Sequence, residues 1–183
     1  MNITVVTATI PKRSHMLINA IESVANQELK PVAHKIVSDI NHNGNHWSYQ
    51  QLLNSVETEW VCFLDDDDIL YPDHLSKLSQ YCSDYDVVFS NGNCNDPLDI
   101  IKYSDDFSYE LLREQSIVPI TALVRTETMR NVGGFDQVQE CDYLMWRKLA
   151  YEGYRFKKIQ DITWEYRFHD NNYSRKGMTW DEL

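Results

Sequence analysis

The residues best equipped for chemistry stand together. Asp65, Asp66, Asp67 and Asp68 follow the apolar run Trp60-Val61-Cys62-Phe63-Leu64 and directly precede Ile69-Leu70. Carboxylates about 4 Å apart repel by roughly 4 kcal/mol per pair at an effective dielectric near 20, so such a group needs a counter-charge. A divalent cation that prefers hard oxygen ligands is the simplest one.

Blander readings of the acidic run fit less well. Solvated charge blocks are flanked by polar residues, whereas this one is clamped between apolar pairs. A structural calcium loop alternates its ligands around a central Gly and closes with Glu, a pattern missing here. In an aspartyl-phosphate phosphatase the Asp-x-Asp opens the domain and continues to Thr or Val. Here Asp68 follows Asp67, and two strand-like segments come first.

Positioning these acids requires a rigid element, and Trp60 to Leu64 supplies one. A short run of large apolar and β-branched residues reads as a strand buried on both faces of a parallel sheet. Its carboxyl end is the edge at which open α/β sheets bind ligands. Before it come a strand at Ile3 to Ala8, a helix capped by Ser14 with an apolar face of Leu17, Ile18, Ile21 and Val24, a strand at Val32 to Ile40, and a helix over Trp47 to Val56. After it, Pro72 starts a helix carrying Leu75 and Leu78. Asp86 to Ser90 is a strand, Asn91 to Asp106 a long loop, Phe107 to Gln115 a helix, and Ile117 to Arg125 a strand. A short helix over Thr126 to Val132 ends at Gly133-Gly134, and a helix over Asp142 to Tyr151 is closed by Gly153. Tyr154 to Ile159 and Thr163 to Phe168 read as two strands. The alternation predicts an α/β fold with a mostly parallel central sheet flanked by helices.

The chain of 183 residues predicts one domain over residues 1–170, with a mobile tail over 171–183. A formal net charge of −11 argues against nucleic acid and anionic membrane surfaces as partners. Cys62, Cys82, Cys94 and Cys141 show no metal-type spacing and read as free thiols in a reducing compartment. With no signal-like start and no apolar run of spanning length, the expectation is a soluble, cytoplasmic protein without a membrane span.

Beyond the acids, Asp39 follows the second strand, and Gly133-Gly134-Phe135-Asp136 precedes Cys141-Asp142 and Gly153-Tyr154-Arg155-Phe156. In order and spacing these motifs resemble the family 2 glycosyltransferases of the GT-A fold over about residues 2–170. The resemblance implies that Asp65 and Asp67 form an Asp-x-Asp motif. Asp67 would ligate a Mn2+ or Mg2+ ion that bridges the diphosphate of a nucleotide sugar, a UDP-sugar first among the candidates. Asp65 would contact the ribose or metal-bound water, with Asp66 and Asp68 able to share the role. Asp39 would accept a hydrogen bond from the nucleotide base, or else cap its own loop. The loop with Thr7 and Thr9 would contact nucleotide, and Arg13 would reach phosphate or ribose unless it is simply solvated.

The family pattern further places Asp142 as general base, with Glu140 one residue away as its rival. Cys141 and Lys148 depart from the usual Glu and Arg, and Gln50 stands where Asn is frequent. In the segment Trp164-Glu165-Tyr166-Arg167-Phe168-His169, with Asn172 and Ser174, the resemblance offers Arg167 to the diphosphate and His169 to the metal. Trp146 either stacks on a sugar or fills the core. The implied activity is metal-dependent, inverting transfer of a sugar from a nucleotide-diphosphate sugar to a hydroxyl acceptor. Nucleotidyl transfer and a catalytically silent nucleotide-sugar binding module are the alternatives. The lack of added carboxyl-terminal helices favours a soluble or surface-presented acceptor.

Overall fold

A computed structural model of the protein describes residues 1–94, 107–138 and 140–169. The expected tail over 171–183, Asn172, Ser174 and most of the expected loop lie outside the described residues. The strands are β1 (Ile3–Thr9), β2 (Ala33–Ser38), β3 (Trp60–Asp65), β4 (Ile69–Leu70), β5 (Val87–Cys94), β6 (Leu123–Arg125) and β7 (Phe156–Tyr166). The helices are α1 (Ser14–Ala25), α2 (Asn45–Ser55), α3 (His74–Ser79), α4 (Tyr109–Glu114), α5 (Thr126–Asn131) and α6 (Cys141–Tyr151), with a 3-10 turn at Pro11–Arg13.

The strands form one sheet in the order β2-β1-β3-β6-β5-β7-β4. Its long ladders, β1 with β2, β1 with β3 and β5 with β7, are parallel. The short strands β6 and β4 pair antiparallel, so the sheet is mostly but not wholly parallel.

Side chains alternate across β3 and sort into two cores. Val61 and Phe63 join Leu52, Leu53, Met129, Met145 and Trp146 on the face covered by α2, α5 and α6. Trp60, Cys62 and Leu64 join Ala20, Val24, Leu75 and Leu78 on the face covered by α1 and α3. Asp65 has the parity of Phe63 and Val61, which turns its carboxylate toward α2 and α6. Trp146 is fully buried and fills the core.

Several expected elements come out differently. Ser14 is the first residue of α1 and not its cap; the cap position is Arg13, which makes no capping side-chain bond. Helix α1 buries Ala20, Ser23 and Val24, followed by Gln27, while Ile18 and Ile21 are exposed. The buried amide of Gln27 donates to the carbonyls of Ser23 and Tyr71 and accepts from Leu75 N–H, which compensates its desolvation. Only Leu123–Arg125 of the expected strand over 117–125 pairs in the sheet. Pro119 has no N–H to give a ladder, and its carbonyl accepts from Ala122 N at 3.2 Å in a turn. The two expected carboxyl-terminal strands are one, β7, whose register against β5 shifts around Asn91. Strand β5 runs on through Asn91 to Cys94, residues expected to begin the loop. Among the described residues no helix is long and apolar enough to cross a membrane.

Candidate active site

Strand β3 ends in a turn, closed by Asp68 N–H donating to the carbonyl of Asp65 at 3.2 Å. Asp66, Asp67 and Asp68 are buried and Asp65 is half-buried. One carboxylate oxygen from each of Asp65, Asp67 and Asp68 lies within 4.8 Å of the others. That set of hard, converging oxygens fits a divalent cation. The acids are strained by their own company: burial, then the charges of Asp67, Asp66 and Asp142, push Asp65 up to about 7 against the bond from Tyr49. Asp68 is pushed well above the carboxylate range by burial and by Asp67 and Asp65. Burial also raises Asp66, though Thr9 and Arg13 pull the other way.

Three elements bring positive charge and hydrogen bonds to this turn. From the end of β1, Thr9 Oγ1 donates to Asp66 Oδ2 at 2.6 Å. From the turn before α1, Arg13 Nη1 reaches Asp66 Oδ1 at 3.1 Å and Asp67 Oδ2 at 3.0 Å. From the segment after β7, His169 Nε2 stands 3.1 Å from the same Asp67 oxygen. Arg167 braces the backbone instead: its side chain donates to the carbonyls of Asp67 (2.5 Å), Asp66 and Met16 (both 3.2 Å), and its own N–H to Asp68 Oδ1.

On the opposite face, α2 presents Tyr49, whose hydroxyl donates to Asp65 Oδ1. The Tyr49 ring packs on Phe63 and Phe135, with centroids 5.6 and 5.2 Å away. Phe135 is held in turn by its N–H donating to Gln50 Oε1 at 2.8 Å. The turn through Gly133 and Gly134, both at positive φ, delivers the chain toward α6. Asp142 in the first turn of α6 has its pKa raised by burial, against backbone hydrogen bonds that lower it. Its charge raises the pKa of both Asp65 and Tyr49, so the first turn of α6 and the acid turn face each other. Beside it Cys141 is buried, and its thiol is pushed up to about 12. Lys148 pairs with Asp136 at 2.7 Å.

The family description Glycosyl transferase family 2 matches residues 18–128, more than half of the chain. The chain belongs to glycosyl transferase family 2. Solved structures share the GT-A fold with this chain. For S. aureus TarS 1-349 in complex with UDP-GlcNAc the TM-score is 0.81 at 14% identity, covering 98% of this chain and 62% of that one. For the mannosyltransferase PcManGT from Pyrobaculum calidifontis in complex with GDP-Man and Mn2+ it is 0.70 at 16% identity, covering 94% and 58%. The chain thus spans about three fifths of the length of these structural neighbours. No curated protein sequence matches it.

The fold gathers Thr9, Arg13, Asp65, Asp66, Asp67, Arg167 and His169 around one turn, with Asp142 across from Asp65. Two further expected residues have protein partners away from that turn. Thr7 is fully buried and its hydroxyl bonds His34 Nε2 at 2.9 Å. Asp39 is 3% exposed, and its two oxygens accept from Asn43 Nδ2 (2.9 Å) and Gly44 N (2.8 Å) of its own loop. Burial pushes Asp39 up, yet these bonds hold it below the usual carboxylate range. Tyr49 was not among the expected site residues. It shares helical spacing with Leu52, Leu53 and Val56, and that was the signal for its inward aim.

Proposed function

We propose that this glycosyltransferase is metal-dependent and inverting. It would move a sugar from a nucleotide-diphosphate sugar, a UDP-sugar first, to a hydroxyl acceptor within a single domain over residues 1–170. The observation that carries the reading is Asp142, a carboxylate of raised pKa facing Asp65 and Tyr49. A base of raised pKa takes the acceptor's proton more readily as the hydroxyl attacks the anomeric carbon. The opposite side of the site is where the diphosphate would leave, beside Asp65 to Asp68. Asp67, Asp65 and Asp68 would hold Mn2+ or Mg2+, with His169 beside Asp67. When bound, that ion supplies positive charge to the departing diphosphate.

The remaining residues take roles that follow from their contacts. Arg13 is the guanidinium at the mouth that can meet phosphate, and Thr9 fixes Asp66. Arg167 holds the acidic turn in shape. Asp39 would shape the loop around Gly44, its carboxylate accepting from Asn43 and Gly44. Similarly folded proteins hold UDP-GlcNAc in one case and GDP-Man with Mn2+ in another, which supports this donor class. The described cysteines are free and buried, which supports a reducing compartment, and we place the enzyme in the cytoplasm.

The test is a panel of nucleotide sugars followed by thermal shift with and without Mn2+, then by turnover with candidate acceptors. A bound donor raises the melting temperature by mass action. Asp142→Asn should keep the shift and lose turnover, and Asp67→Ala should lose the Mn2+-dependent part of the shift. A panel that leaves the melting temperature unmoved under both conditions refutes the donor assignment.

A further inference from the structure

Arg13 is a cation that the acid turn already has. Its Nη1 sits between Asp66 Oδ1 and Asp67 Oδ2 at 3.1 and 3.0 Å, and Asp67 belongs to the converging oxygen set. A divalent ion on Asp67 and a guanidinium on the same carboxylate are like charges in a site largely closed to water. They repel whichever oxygen the ion takes. Arginine cannot relieve that repulsion by losing its proton, because it stays charged at any working pH. Relief requires that one partner move.

The surroundings decide which. Two of the carboxylates are held by other residues, Asp65 by Tyr49 and Asp66 by Thr9, and the turn backbone that carries Asp67 is braced by the fork of Arg167. Arg13 ends a 3-10 turn on the surface, and its side chain is 25% exposed against 2% for Asp66. Of the two partners, the guanidinium is the one nearer solvent.

We propose that Arg13 is a built-in competitor of the divalent cation. It holds Asp66 and Asp67 in the donor-free enzyme and passes to the diphosphate when cation and donor bind together. The inference rests on the metal-dependent reading above. Its consequence is that the cation alone binds weakly, while cation and nucleoside diphosphate favour each other, reciprocally.

The test titrates Mn2+ alone into wild type, Arg13→Gln and Arg13→Lys, reading free Mn2+ by electron paramagnetic resonance. UDP is then titrated with and without Mn2+ by calorimetry. Arg13→Gln should bind Mn2+ alone about tenfold more tightly, as expected for removing one charge-assisted bond to the ligand carboxylate. Arg13→Lys should fall between the two, and the factor by which Mn2+ raises UDP affinity should shrink in Arg13→Gln. Melting temperature checks folding in the same samples, and Mn2+ should raise it more in Arg13→Gln than in wild type. Measurable Mn2+ binding that is equal or weaker in Arg13→Gln overturns the competitor and leaves the metal site standing. Absence of Mn2+ binding in every protein, with or without UDP, overturns the metal site and the competitor with it.

Discussion

The hydroxyl of Tyr49, fully surrounded by core on α2, donates to Asp65 at the carboxyl end of β3. One hydrogen bond thus ties the hydrophobic core to the acid turn. Tyr49→Phe keeps the ring contacts with Phe63 and Phe135 and removes only the donor. The expected loss is about 1–3 kcal/mol of folding stability, the range for leaving a buried acceptor without its partner, read from urea unfolding with an unchanged slope. A variant as stable as wild type would mean that Asp65 finds water as an equal partner.

Gln50 and Gly134 are coupled as tightly. A Cβ on Gly134 would lie 2.2 Å from Gln50 Oε1, the atom that accepts Phe135 N–H, and φ there is +75°. Gly133, at φ +89°, has open space around it. Gly133→Ala should therefore cost only the left-handed backbone, about 1–2 kcal/mol. Gly134→Ala should cost that plus the displaced amide, about 3 kcal/mol in all. Adding Gln50→Ala to Gly134→Ala should cost less than the two single changes together, a non-additivity that a double-mutant cycle measures.

The acid turn was legible because an apolar run ending in four carboxylates has few physical explanations, and β1, β2, α2, α5 and α6 announced themselves by periodicity. What could not be read were partnerships. Asp39 offers the same carboxylate whether it meets a base or its own loop, and only the fold shows Asn43 and Gly44 already there. Ile18 and Ile21 have helical spacing, yet the close approach of α1 to the sheet suits Ala20 and Ser23 better, and Gln27 is buried because its partners are. The charge of Arg167 is visible in sequence, whereas the carbonyls it braces are not. The length of β6 was overread because the apolar run from Ile117 stays buried without pairing, and burial alone does not make a strand.

Gly92 faces the indole of Trp164 across the β5–β7 ladder, and a Cβ there would stand 2.5 Å from Cε2 and Cζ2. Trp164 is 3% exposed, so the ring has no free path away. Gly92→Ala should cost about 1–3 kcal/mol by overpacking. It should also shift Trp164 emission toward longer wavelength as the ring is displaced. An unchanged spectrum together with an unchanged melting temperature would contradict the contact.

His74 makes stability fall in acid. It is fully buried, with Nε2 3.0 Å from the carbonyl of Thr121, so that nitrogen carries the proton and Nδ1 accepts from Thr163 Oγ1 at 2.6 Å. Ser90 Oγ completes the chain at 2.7 Å from Thr163. Burial lowers the imidazole to about 4 from 6.5. The unfolded chain takes up the proton first, so this contribution is whole above about pH 6.5 and is lost as pH falls toward 4. A gap of about 2.5 pH units at 1.36 kcal/mol each amounts to about 3 kcal/mol. The aspartates with raised pKa act in the opposite sense, gaining stability as they protonate, so total stability mixes the two. The difference between wild type and His74→Gln isolates the imidazole. It should be largest near pH 7.5 and shrink by about 3 kcal/mol at pH 4, measured by urea unfolding at each pH. A difference that stays constant across that range would show that His74 takes up its proton equally in the folded and unfolded chains.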